Sequence, residues 1–214
     1  MWRMDSAVLT KPAKDDRREA IVEIAKRAFI EFGYAGTSMS CIAARVGGSK
    51  ATLYNYFKSK EELLIAVVGK KCEQISEMLN AAAIESHGDL RAALTHFGDH
   101  FVELLISNES IGFYRVVIGE CSRFPEIGQA IYNAGLQQNQ GRIAEFLAGA
   151  RDAGQLRADM DETVAAEQFM ELCLAGIQRR KLWNVTPNPS AEEIHENVAN
   201  AVSTFMRAYG VKAS

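Results

Sequence analysis

Proline is scarce in this chain of 214 residues, which has only four, at 12, 125, 187 and 189. Because proline removes a backbone donor and breaks helices, the long proline-free stretches leave room for extended helical structure. Cysteine is as sparse, and Cys41, Cys72, Cys121 and Cys173 are far apart with no C-x-x-C pair. That spacing offers neither a disulfide framework nor a zinc site. Each thiol falls within a helical pattern, where it serves as a small buried apolar group in a reducing compartment. No run approaches the roughly 18 consecutive apolar residues of a membrane span, and the first dozen residues lack the apolar core of a secretory signal. A cytoplasmic protein is expected, with no membrane partner. A Gly-rich phosphate loop, a nucleophile elbow and an H-E-x-x-H pair are all missing, which removes the common enzyme signatures. Strand alternation and internal repeats are absent too.

Charge is unevenly divided along the chain. The net charge is −3, yet residues 1–60 carry 11 Lys+Arg against 6 Asp+Glu and the remainder 13 against 21. A basic first quarter on an acidic remainder places a polyanion partner at one end.

What is present is helical periodicity from about residue 15 onward. A first helix over 15–33 puts Ile21, Ile24, Ala28, Phe29 and Phe32 on one stripe. Thr37 is the expected N-cap of a second helix, 38–46, with Ile42, Ala43 and Val46 inward. Gly47-Gly48 makes a turn, and Ser49 caps a third helix, 50–56, anchored by Leu53 and Phe57 at i, i+4. Ser59 and Glu62 form a capping box opening a fourth helix to about residue 84, about 37 Å long at 1.5 Å per residue. Further helices are expected over 89–107, 109–122, 125–153, 161–183 and 190–209. The chain reads as all-α, with a flexible arm at 1–14, a three-helix N-terminal domain at 15–60 and a larger C-terminal helical domain at 61–214.

Two short helices around a glycine turn are the helix-turn-helix pattern. With Leu53 and Phe57 turned inward, Lys50, Ala51, Tyr54 and Asn55 project outward, flanked by Thr52 and Tyr56. Lys donates to guanine or phosphate, Asn reads adenine, and Ala or Thr meets a thymine methyl. Ser38, Ser40 and the helix-two N-terminus suit a phosphate, while Tyr hydroxyls and Lys60 suit backbone oxygens. The competing reading is a solvated face on a small bundle.

Residues 15–64 resemble the DNA-binding domain of the TetR family of transcriptional regulators. The resemblance rests on Ala28-Phe29, Phe32-Gly33-Tyr34, Thr37-Ser-Met, Ile42-Ala43, Ser49-Lys50, Thr52-Leu53-Tyr54-Asn-Tyr-Phe57 and Ser59-Lys60-Glu61. Gly48 departs from it, because the family usually has an apolar residue there. A weaker similarity, over Val116-Val-Ile-Gly-Glu-Cys-Ser-Arg-Phe-Pro-Glu126, is to a subset of these regulators. The resemblance implies a homodimer that binds a palindromic double-stranded DNA operator, and a C-terminal domain that takes a small-molecule effector. DNA contacts would fall on Ser38, Ser40, Ser49, Lys50, Ala51, Thr52, Tyr54, Asn55, Tyr56 and Lys60.

In the C-terminal half, Phe97, Phe101, Phe113, Tyr114, Tyr132 and Phe169 are candidates to line an apolar effector cavity, with His100 and Arg115 as polar fixtures. Plain core packing accounts for these aromatics equally well. Small and apolar residues on the last two helices suit packing across a two-fold axis. That set comprises Phe169, Leu172, Cys173, Gly176, Ile194, Val198, Val202 and Phe205, and an intramolecular core is its alternative. His96 and His100, at i, i+4, could chelate a metal, although such a face is commonly just solvated. A metal-using enzyme is the rival class, and no cofactor is expected.

Overall fold

The computed structural model describes residues 12–186 and 188–211. Eleven α-helices account for most of it, and no β-strand occurs among the described residues apart from one bridge between Leu156 and Gly210. The first eleven residues of the expected arm and Pro187 lie outside the described residues. Helix α1 already begins at Pro12 and runs to Gly36, with a break at Gly33, whose φ of 72° is left-handed.

Helices α2 (Met39–Val46) and α3 (Lys50–Tyr56) follow as expected, with Ser49 capping α3, but the cap of α2 is reassigned. The N-cap of α2 is Ser38, whose side chain accepts from the Cys41 amide. Thr37 is instead buried, and its hydroxyl is shared between the carbonyls of Gly33 at 2.7 Å and Ala28 at 3.0 Å. It takes up a carbonyl freed where α1 breaks. Gly47 closes α2 in the left-handed conformation, with its own amide and that of Gly48 returned to Ala44 and Ala43. This is the glycine C-cap, which has no Cβ clash to relieve. Phe32, expected inward, is 43% exposed, and the Arg45 guanidinium lies over its ring at 4.6 Å.

Helix α4 (Lys60–Glu85) opens on Ser59, which accepts from the Glu62 amide at 3.1 Å. Only half of the expected capping box forms as drawn. The Glu62 carboxylate returns to the amide of Lys58, one residue before the cap, at 2.6 Å. Helices α5 (Leu90–Ile106) and α6 (Asn108–Cys121) lie close to their expected bounds.

The expected single helix over 125–153 is three pieces. They are α7 (Pro125–Ile131), a π turn (Tyr132–Leu136) and α8 (Gln137–Asp152). Gly135 lies in the π turn, where a Cβ would meet Val68 Cγ1 of α4 at 3.0 Å. The Cys72 thiol donates to the carbonyl of Ala134 at 3.2 Å. Periodicity does not register a π turn, because both flanking segments remain helical. The expected helix over 161–183 is also broken, into α9 (Glu162–Leu174) and α10 (Ile177–Leu182), by Gly176 at φ 75°. Helix α11 (Ala191–Tyr209) carries a full capping box between Ser190 and Glu193.

Two apolar clusters organise these elements. The N-terminal one gathers Ile21, Ala28, Phe29, Ile42, Leu53 and Phe57 with Leu63, Leu64 and Val67 of α4 and Ile127 of α7. The C-terminal one centres on Phe97, Phe101, Phe169 and Phe205, again with α4 residues, Ile75 and Leu79. The expected boundary near residue 60 is therefore not a packing boundary. Helix α4 belongs to both cores, and the stretch between them, Val68 to Cys72, faces a cavity.

Candidate nucleic-acid interface and ligand cavity

Helix α3 is held from beneath by Leu53 and Phe57, both essentially fully buried. A seven-residue helix is far too short to be stable alone, so these anchors and the Ser49 cap, which accepts from the Thr52 amide at 3.1 Å, fix it. The opposite face is open. Ser49, Lys50, Ala51, Tyr54 and Asn55 are exposed, and Thr52 and Tyr56 half-buried. Ser38 and Ser40 are exposed at the start of α2, although the Ser38 hydroxyl is already used as the cap.

Lys60 is placed differently. Its ammonium donates to the Tyr34 carbonyl at 2.8 Å and lies 3.9 Å from the centre of the Tyr34 ring. Burial draws it below the usual lysine range, against the pull of Glu61 and Glu120. Tyr34 in turn donates to Glu61 at 2.7 Å, and burial followed by that bond raises its phenol well above the ordinary value. Lys60 thus closes α4 onto the end of α1.

Sequence reasoning passed over three exposed cations on this side. Arg17 donates to the Val46 carbonyl beside the glycine turn, at 3.3 Å. Arg45 pairs with Glu31 at 2.8 Å. Lys58 donates to the Tyr54 carbonyl at 3.1 Å, just beyond α3. The basic balance of residues 1–60 was their only signal.

In the C-terminal region a cavity of about 220 Å³ opens between α4, α5, α6, α9 and the π turn. Of the eight residues expected to line it, Phe101, Phe113 and Tyr114 do. Phe97 and Phe169 are instead stacked in the core, at 6.3 Å between ring centres. Tyr132 points outward and is half exposed. Arg115 donates to the carbonyls of Lys181 and Leu182 at 3.1 and 2.9 Å, which satisfies the end of α10. His100 lies on an outer face, with its Nε2 3.0 Å from that of His96, and the two rings pair with Glu103 and Glu85 respectively. No group of three or more His, Cys, Asp or Glu able to hold a metal occurs among the described residues. The polar cavity residues that sequence missed are Lys26, Lys71, Glu109, Ser110, Asn139, Gln178 and, on α9, Glu171. They come from six elements, so no local pattern links them.

The expected dimer residues are also relocated. Phe169, Cys173, Ile194, Val198, Val202 and Phe205 are sealed in the core of one chain, and burial pushes the Cys173 thiol up to about 12. Side chains so buried within their own chain leave little surface for a partner. The faces of α9 and α11 that remain open carry Gln168, Glu171, Ala175, Thr204 and Ala208 along a surface groove. Leu172 lines that groove, and Gly176 shapes the break beside it.

No helix among the described residues is long and apolar enough to cross a membrane. Residues 21–67 match the family described as bacterial regulatory proteins, tetR family, and residues 92–211 match the AefR-like transcriptional repressor C-terminal domain. The chain is 32% identical over 82 residues to YhgD of Bacillus subtilis, an HTH-type regulator, covering 37% of this chain and 43% of that one. It thus spans less than half the length of that relative. The match to the HTH-type transcriptional regulator TtgR of Pseudomonas putida is more extensive, at 28% over 186 residues, with 84% of this chain and 85% of TtgR. The solved structure of the flavonoid-responsive regulator FrrA superimposes with a TM-score of 0.73 at 28% identity, covering 93% of this chain and 100% of that one. The relatives are regulators rather than enzymes, and the helix-turn-helix, both matched regions and the helical C-terminal domain agree: this chain belongs to the TetR family of transcriptional regulators.

Proposed function

We propose that the protein is a homodimeric repressor that binds a palindromic operator through α3 and is released by a small ligand in the α4–α6 cavity. The observation that carries this reading is the open face of α3, where Lys50, Ala51, Tyr54 and Asn55 stand out from a helix fixed by Leu53 and Phe57. Asn and Lys there suit base edges, and Tyr54 and Lys58 suit phosphates. Half-sites about 34–36 Å apart, or a multiple, follow from placing two such helices in successive major grooves.

The ligand half of the reading is supported by position. The cavity wall includes Lys26 of α1, so a guest there touches the DNA-binding region directly. FrrA, of the same fold, is described as flavonoid-responsive. The dimer is assigned to the open faces of α9 and α11 around Ala175, Thr204 and Ala208, in place of the residues buried in the core. For control, the ligand must bind the DNA-competent and released states with different affinity.

The test is fluorescence anisotropy on duplexes selected from a random pool by the protein itself. Lys50→Ala and Asn55→Ala should change which sequences are retained at fixed salt. Unchanged affinity and selectivity in both variants would remove α3 as the reading helix.

A further inference from the structure

The cavity wall holds two carboxylates, Glu109 and Glu171, and Glu109 is the one that meets its lysines. Glu109, on α6, lies 2.9 Å from the ammonium of Lys26 on α1 and 3.7 Å from that of Lys71 on α4. Lys26 has a second partner, Glu23, at 2.6 Å. Burial alone would pull Lys26 down, but its bonds to Glu23 and Glu109 outweigh this and hold it above the usual lysine value.

Lys71 is less well served. Its closest partner is the neutral Ser110 hydroxyl, at 2.6 Å, and burial draws its ammonium below the ordinary range despite Glu109. A charge taken out of water without a close counter-charge is unfavourable unless something else meets it. On α8, Asn139 is buried at the same cavity, and its Oδ1 has no hydrogen-bond partner. Buried polar atoms are normally paired, so this amide marks a polar guest, which meets it with a donor or, with the amide turned over, with an acceptor.

The rest of the wall, including Val68, Ile75, Phe101, Leu105, Phe113 and Met170, is apolar. At about 220 Å³ the space lies below the roughly 300–1,000 Å³ usual for ligand sites, so the guest is small.

We propose that the cavity binds a small amphipathic acid, with a one- or two-ring or short acyl body against Phe101, Phe113 and Leu105 and its carboxylate on Lys71. This rests on reading the cavity as the effector site. The ligand carboxylate takes the position toward Lys71 that Glu109 now holds loosely, and it competes with Glu109 for Lys26. Because Lys26–Glu109 ties α1 to α6, the head group acts on the link between the cavity and the DNA-binding region.

The experiment is calorimetric titration of the full-length protein with naphthalene-2-carboxylate and with naphthalene-2-carboxamide, which shares its shape but is neutral. The carboxylate should bind about tenfold tighter or better, the value of one charge-assisted hydrogen bond. Lys71→Met should bring the two affinities close together, chiefly by weakening the acid. Glu109→Gln, which removes the competing carboxylate and is independent of how Lys71→Met folds, should strengthen the acid selectively. Equal binding of acid and amide, or a preference that survives Lys71→Met, overturns the carboxylate assignment and leaves the cavity as an effector site. Binding of neither probe overturns both readings.

Discussion

The carboxylate of Glu120 accepts a hydrogen bond from the backbone amide of Ala35 at 3.2 Å, tying the last turn of α6 to the end of α1. At the other end of α6, Glu109 holds Lys26 of α1. Helix α6 is thus clamped to the DNA-binding region at both ends, while Phe113, Tyr114 and Val117 between the clamps line the cavity. Helix α4 links the two apolar cores by running through both. The structure adds α6, which crosses no domain boundary in sequence but spans one in space.

Glu120→Gln should retain much of the contact to Ala35, whereas Glu120→Ala should release it. We expect operator affinity to fall in Glu120→Ala with little change in Tm, measured by anisotropy and differential scanning calorimetry on the same preparation. An operator affinity equal to wild type would show that this clamp has no part in DNA binding.

Thr37→Val removes the hydroxyl shared by Gly33 and Ala28 while keeping the shape of the side chain. A buried carbonyl left unpaired costs about 1–3 kcal/mol. For a domain of this size each kcal/mol lowers Tm by roughly 2–4 °C. Thermal melts that coincide with wild type would mean that water or a neighbouring donor takes the place of Thr37.

Gly98 lies where α5 approaches α11 closely, and a Cβ there would meet Val198 Cγ1 at 2.6 Å. Gly98→Ala should destabilise by about 1–3 kcal/mol through overpacking. Combining it with Val198→Ala should be less damaging than the two single effects added, because the second change clears the space the first one needs. Simple additivity in urea melts would argue against this contact.

His195 donates through Nδ1 to the Asp99 carboxylate at 2.9 Å, joining α11 to α5. Its hydrogen bond to Asp99 and then the Asp99 charge raise its pKa above the usual 6.5, against a small effect of desolvation. A raised histidine pKa adds stability that is fully present below the unfolded value and lost as pH rises through the folded one. The Tm difference between wild type and His195→Gln should therefore be largest below about pH 6.5 and shrink on the alkaline side. A difference that does not vary with pH would indicate that the pair contributes through neutral hydrogen bonding alone.

Ala208→Arg and Thr204→Arg place a charge on the open face of α11 without touching the core. Each should shift sedimentation from dimer toward monomer and weaken operator binding together with it. A dimer that survives both would place the subunit contact on another face.

Some of this protein could be read from its sequence alone. The helices, the Ser49 and Ser59 caps, the Gly47 turn, the Leu53–Phe57 anchor and the outward residues of α3 all follow from interactions within a few residues. Local spacing and capping chemistry are sufficient there, because i, i+3 and i, i+4 neighbours meet in any helix. Other features needed the tertiary structure. Phe169, Val198 and Phe205 read in sequence as an interface, with core as the alternative, and only the way α5, α9 and α11 close around them made them core. The π turn and the Gly176 break change helix direction without changing periodicity. Lys26, Lys71, Glu109 and Asn139 meet only because α1, α4, α6 and α8 converge. Charges so far apart in sequence carry no mark of the partner that burial will give them.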